Sequence, residues 1–200
     1  MTDIVPRAID PHYHWWVKTA PTVLPVSVED VKLFARIDTD AEDDLLETMI
    51  GAVTDATEKW LGRALLGQTL VLSFDQWPGD GVVRLPRPPF LDLVEIRSLD
   101  EDEVSTVYAS TNYLIRPDIL PAEIVLRSDG PDSPSNADRY HGGWEIEFRA
   151  GYGDLATDVP ASIRAGVMAW AAEYYESRIL SDSPPKNAHS LLMLNKIIRF

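Results

Sequence analysis

The side chains that could do chemistry are few. His12 and His14 form an H-x-H pair whose side chains share one face of an extended segment, and Asp10 precedes them. Three such groups could hold a metal ion and so activate a water for hydrolysis. No further strong ligand lies near them in sequence, and His141 and His189 are isolated. Asp43 and Glu47 are spaced like a carboxylate pair, but on a helix face whose composition is that of a solvated surface. Gly151-Tyr-Gly153 looks like a phosphate loop until Asp154 and Asp158 are read after it, since an anion would meet negative charge there. Asp100-Glu-Asp-Glu103 lacks the ligand spacing and glycine of a calcium loop and reads as a hairpin tip. The dinucleotide, Walker, nucleophile-elbow and zinc-protease motifs are all missing. The expectation is therefore a protein that is not an enzyme and has no cofactor and no metal.

The elements carrying these residues follow from periodicity. Residues 1–26 read as an arm, broken by Pro6, Pro11, Pro21 and Pro25, with Trp15 and Trp16 as an apolar assembly contact. Ser27 reads as the N-cap of a short helix, with Glu29 and Asp30 in its first turn. The second helix has apolar residues at spacings of three and four from Leu45 to Leu61, and Gly62 is placed to end it. From Gln68 the period becomes two. Short strands are expected at 68–74, 82–85, 93–99, 104–108, 113–116, 123–126 and 144–149, with an exposed loop over 128–143. Pro160 opens a long helix, Ser181 to Pro185 breaks it, and Asn187 caps a short last one.

The resulting fold class is α+β. It comprises a helical bundle (two N-terminal helices, one long and one short C-terminal helix) with a β-rich insertion between helices 2 and 3. The domain reading is an N-terminal arm over 1–26, a main domain over 27–180 and a C-terminal tail over 181–200. Within the main domain, helices cover about 27–62 and 158–180 and the insertion about 68–150.

Composition narrows the class further. The chain has 200 residues, no cysteine and a formal charge of −14. Disulfides and thiolate metal sites are excluded. No apolar run approaches the roughly 20 residues of a membrane span, and no basic, then apolar, signal opens the sequence. A cytoplasmic start and no membrane partner are expected. So acidic a surface opposes binding DNA by phosphate neutralisation.

The words at the junctions carry a resemblance. They are Glu42-Asp43 opening the long helix, Glu58 and Gly62-Arg63 closing it, and Gln68-Thr69 opening the insertion. Leu85-Pro86-Arg87-Pro88-Pro89, Ala150-Gly151-Tyr152-Gly153, Val159-Pro160 with Ile163, and Tyr175-Glu-Ser-Arg178 follow in order. Together, from about Val26 to Arg178, they resemble the gp6-like head–tail connectors of tailed phages, in the branch with a β insertion. The resemblance implies a structural adaptor, found also in prophages and gene transfer agents. It implies a homo-oligomeric ring, usually of twelve copies, beneath the portal protein, with a tail-completion or stopper protein as the next partner. DNA then passes through a channel of negative charge without specific binding. The protein would begin in the host cytoplasm and end in the virion or phage-like particle at the head–tail junction. Leu191, Leu192, Leu194, Ile197, Ile198 and Phe200 make an apolar end that is expected to dock on the portal, and deleting 187–200 is expected to leave a folded protein unable to join particles. The alternative reading is a monomeric module binding a glycan or host surface through Trp77, Tyr108 and Trp144. A hydrolase using Asp10, His12 and His14 stands behind it.

Overall fold

The computed structural model describes residues 13–128, 130 and 141–196. The chain divides into two units, a β unit spanning Gln68–Gly151 with the residues up to Ala20, and a helical unit spanning Pro21–Gly67 with the segment from Tyr152 onward.

In the helical unit, α1 (Val28–Ala35) begins with a capping box. The Asp30 N–H donates to Ser27 Oγ at 3.0 Å, and the Ser27 N–H donates to Asp30 Oδ2 at 3.1 Å. α2 (Asp43–Leu61) ends at Gly62, whose φ of 70° is the left-handed conformation in which its N–H reaches Glu58 O. α3 (Ala161–Ser177) packs against α1, α2 and α4 (Lys186–Met193). Surrounded on three sides, it is apolar nearly all round, and its small residues Gly166, Ala169, Ala171 and Ala172 are buried. Trp170 fills the centre, among Leu46, Ile50, Val53, Val167 and Leu192. Pro160 sits just outside α3 as its N-cap, with ψ 136°, one position earlier than its expected place inside the helix. α4 starts after Pro185, whose carbonyl accepts from Ala188 and His189, so Asn187 lies in the first turn instead of capping it.

The β unit begins earlier than the sequence reading placed it. His14–Thr19 form β1, paired antiparallel to β2 (Gln68–Phe74), where an arm without regular structure was expected. The arm's prolines at 11 and 21 bracket this segment and do not interrupt it, and its alternation lays Trp15 and Val17 opposite Leu72 and Leu70. The remaining strands are β3 (Val82–Arg84), β4 (Phe90–Leu99), β5 (Ser105–Val107), β6 (Tyr113–Arg116), β7 (Glu123–Leu126) and β8 (Trp144–Ala150). They make a five-stranded sheet in the order β1-β2-β8-β4-β5 and a three-stranded sheet in the order β3-β7-β6, all neighbours antiparallel.

Register in the larger sheet alternates by row. His14, Ser73, Glu145, Arg97 and Val107 stand in one row across all five strands. Trp15, Leu72, Ile146 and Ile96 form the next, and Trp16, Val71, Glu147 and Glu95 the one after. One face is thus apolar and the other charged, as period two demands. On the charged face Arg97 donates to Glu145 (2.6 and 2.8 Å) and to Glu95 (3.2 Å), and Lys18 reaches Glu147 at 2.7 Å. The β4–β5 turn is the expected hairpin tip. Asp100 Oδ1 accepts from the backbone of Asp102 and Val104 at 3.0 and 2.8 Å. Most of the 128–143 loop lies outside the described residues.

A Cβ at Gly166 would lie 2.6 Å from Leu192 Cδ2 and 2.7 Å from Leu192 Cγ, so α4 sits close only because residue 166 has no side chain. Leu192→Ala is expected to cost about 2–5 kcal/mol, and Gly166→Val about 1–3 kcal/mol by overpacking. Urea denaturation of each variant checks both.

Candidate assembly surfaces

The C-terminal segment is built from three tethers. The Arg63 guanidinium donates to Asn195 O at 2.7 Å, Asn195 Nδ2 donates to Ser162 Oγ at 2.8 Å, and the Lys196 ammonium lies 3.8 Å from the centre of the Trp60 ring. His189 also meets Trp60 edge-on. This fold-back separates the six residues expected to dock. Leu192 is fully buried in the helical core, Leu191 is half-buried, and Leu194 is 77% exposed. Ile197, Ile198 and Phe200 lie outside the described residues. A deletion of 187–200 would therefore remove Ala188 and Leu192 from the core, and does not isolate docking from folding.

The N-terminal contact residues also divide. Trp15 is half-buried, with the Arg87 guanidinium 5.0 Å above its ring. Arg87 holds a left-handed φ of 57° between Pro86 and Pro88, which aims its side chain at the tryptophan. Trp16 is exposed and stacks on His14.

The junction words prove to be fastenings. Tyr152 N–H donates to Leu65 O, and Gly67 N–H donates to Gly153 O, at 3.1 and 2.8 Å. Glu58 Oε1 accepts from Leu65 N at 2.7 Å. Gly153 has no room for a side chain: a Cβ would come within 2.2 Å of Asp158 Oδ2, which is itself held by the Leu155 N–H. In the β unit Gln68 pairs with Ala150, Thr69 with Arg149, and Gly151 N–H reaches Pro89 O. Burial raises the Tyr152 hydroxyl above the usual phenol range, with Arg63 opposing.

One cluster was not foreseen as a unit. The Tyr175 hydroxyl donates to Glu42 Oε2, and Arg178 donates to both Glu42 oxygens at 3.1 and 3.2 Å. Arg178 also lies over the Tyr175 ring at 4.6 Å and takes the left-handed cap of α3, with φ 56°. This ties the start of α2 to the end of α3. Its signal was Tyr175 and Arg178 at i, i+3, one helical face, but the partner lies 133 residues away.

The sites of the other readings do not assemble. Among the described residues no group of three or more His, Cys, Asp or Glu is placed to hold a metal. His14 is exposed, and Asp10 and His12 lie outside the described residues. Trp77, Tyr108 and Trp144 do come together, as a cluster with Phe74 and Tyr113, but Trp144 is 3% exposed and offers no platform to a glycan.

Residues 25–88, covering α1, α2, β2, β3 and the Pro86–Pro88 corner, match the family described as phage gp6-like head-tail connector proteins. The words after Pro88 lie beyond the matched span. Three solved structures share the fold along nearly the whole chain. A chain from the neck of an empty gene transfer agent particle, computed with C6 symmetry, is 24% identical with a TM-score of 0.78, covering 94% of this chain and 97% of that one. One from the virion of a native gene transfer agent particle is 22% identical with a TM-score of 0.77, covering 93% and 96%. A third, from the neck of the native particle computed with C12 symmetry, is 22% identical with a TM-score of 0.72, covering 92% and 97%. No curated protein matches in sequence.

The Glu42 cluster sets a pH dependence. The Tyr175 hydrogen bond, aided by Arg178 and opposed by desolvation, holds the Glu42 carboxyl below its ordinary range. A depressed carboxyl stabilises fully above its unfolded value, and that stability is lost as pH falls through the folded value. Glu42→Gln is expected to lower the melting temperature at neutral pH and to shallow its fall on acidification. Melting curves from pH 7 to pH 3 check this. Asp40, likewise held low by Lys32, leaves a residual slope.

Proposed function

We propose that this protein is a structural head–tail connector: an adaptor in the neck of a tailed phage or phage-like DNA-delivery particle, joining capsid to tail. The observation that carries this reading is the family match over 25–88, joined to fold agreement with particle-neck chains along more than nine-tenths of each chain. The role is architectural and non-catalytic.

The finer parts of the proposal rest on chemistry. The protein forms a homo-oligomeric ring, of twelve copies by the symmetry of one related neck. A closed ring joins unlike faces of successive copies. The portal protein lies on one side and a tail-completion or stopper protein on the other. With a charge of −14 per subunit, the ring offers DNA few cations to exchange for its counterions, so DNA slides through. The domain division is kept as proposed, with the arm read as the strand-bearing assembly segment that carries Trp15 and Trp16. Portal docking is assigned to the exposed Leu194 with Ile197, Ile198 and Phe200, while Leu191 and Leu192 anchor the tail to its own subunit. Assembly starts in the host cytoplasm and ends in the particle.

A truncation that removes residues 197–200, combined with Leu194→Glu, tests docking while keeping the core residues Ala188 and Leu192 in place. It is expected to melt within a few degrees of the parent protein, yet to pull down no portal from a particle-producing lysate. Portal recovered at the parent level would overturn the docking assignment.

A further inference from the structure

We infer that the larger sheet continues between subunits: the β1 edge of one copy lies along the β5 edge of the next. This rests on the connector reading and names the faces that meet in its ring. β1 and β5 are the two edges of the five-stranded sheet, and among the described residues no strand pairs with the outer side of either. An uncovered edge is a template for another strand, and proteins normally guard it with proline, inward charge or an edge lysine.

β1 lacks these guards. Its six residues contain no proline and no carboxylate, in a chain with 32 acidic residues. Its one lysine is drawn across the sheet to Glu147, 2.7 Å away. Trp16 and Val17 stay exposed at 37% and 43%, a large apolar surface to leave in water.

The other edge is its complement. Val104 and Val107 are 60% and 63% exposed, and all three residues of β5 are exposed. Asp100-Glu-Asp-Glu103, which leads into this strand, sets carboxylates at the end of the edge that would meet the His14 end of β1. Charge and apolar surface therefore match between the two edges of one chain, which makes a second copy the occupant. His14 and Val107 stand in the same row on the same face, so continuation puts Trp16 and Val107 on a common face. Every neighbouring pair is antiparallel, so in a five-stranded sheet both edges run the same way. Copies related head to tail then pair in parallel, with two different edges in contact, as ring closure requires.

The chain has no cysteine, so introduced thiols report cleanly. Particles carrying His14→Cys with Val107→Cys are treated with a short bismaleimide and run on a denaturing gel. A ladder of multimers is expected from the double variant, monomer alone from each single variant, and nothing beyond dimer when the single variants are co-expressed. Trp16→Asp in the double-cysteine background is expected to abolish the ladder with an unchanged melting temperature. A double variant that enters particles at the wild-type level but stays monomeric overturns the inference, as does a single variant that cross-links to itself. Absence of the wild-type chain from purified particles overturns the connector reading instead. The same reagent on concentrated purified protein then decides the edge pairing, by the presence or absence of the ladder.

Discussion

The structure depends on closing a long insertion at its own ends. Between α2 and α3 the chain leaves for a β unit of eighty-odd residues (Gln68–Gly151) and returns to where it left. Loop closure of that length costs entropy that grows only slowly with length, so a few well-placed bonds suffice to offset it. On the strand side Gln68 pairs with Ala150 in the β2–β8 ladder. On the helical side Leu65, Gly67, Tyr152 and Gly153 exchange backbone bonds. With both stems fixed, α2 and α3 pack as though joined by a short hairpin loop, and the Glu42–Tyr175–Arg178 clamp closes their far ends.

The same logic divides rigid from available surface. Glycines at 62, 153 and 166 sit where a side chain is excluded by a left-handed turn, by Asp158 and by Leu192 respectively. These positions serve packing. Exposed apolar side chains remain at sheet edges and beyond the last helix, in Trp16, Val107 and Leu194, and also on α1 and at either end of α3, in Leu33, Phe34, Leu155 and Ile179. Exposed aromatic and aliphatic groups on an acidic body concentrate adhesion at a few places and leave charge repulsion elsewhere, a pattern suited to ordered assembly.

Much of this was legible in one dimension because its causes are local. The spacing of Leu46, Met49, Ile50 and Val53 can be read only as a helix, and Gly62 ends it for a reason contained in its own backbone. The alternation from Gln68 to Phe74 specifies a strand, and Ser27 with Asp30 a capping box. β1 was hidden because four flanking prolines spoke louder than six residues of alternation, and an edge strand needs a partner to exist at all. The last helix was visible as an apolar run, but not that Leu192 enters a notch at Gly166 while Leu194 faces water.

The sequence by itself determined the class of elements, their order, the acidic surface and the words at each junction, because propensity, periodicity and charge are properties of neighbouring residues. Tertiary structure alone decided which distant residues share a site: Glu42 with Tyr175, Arg97 with Glu145, Trp15 with Arg87, and His14 in one row with Val107. Those pairings depend on register and helix contact, which fix positions across scores of residues, and no local preference encodes them.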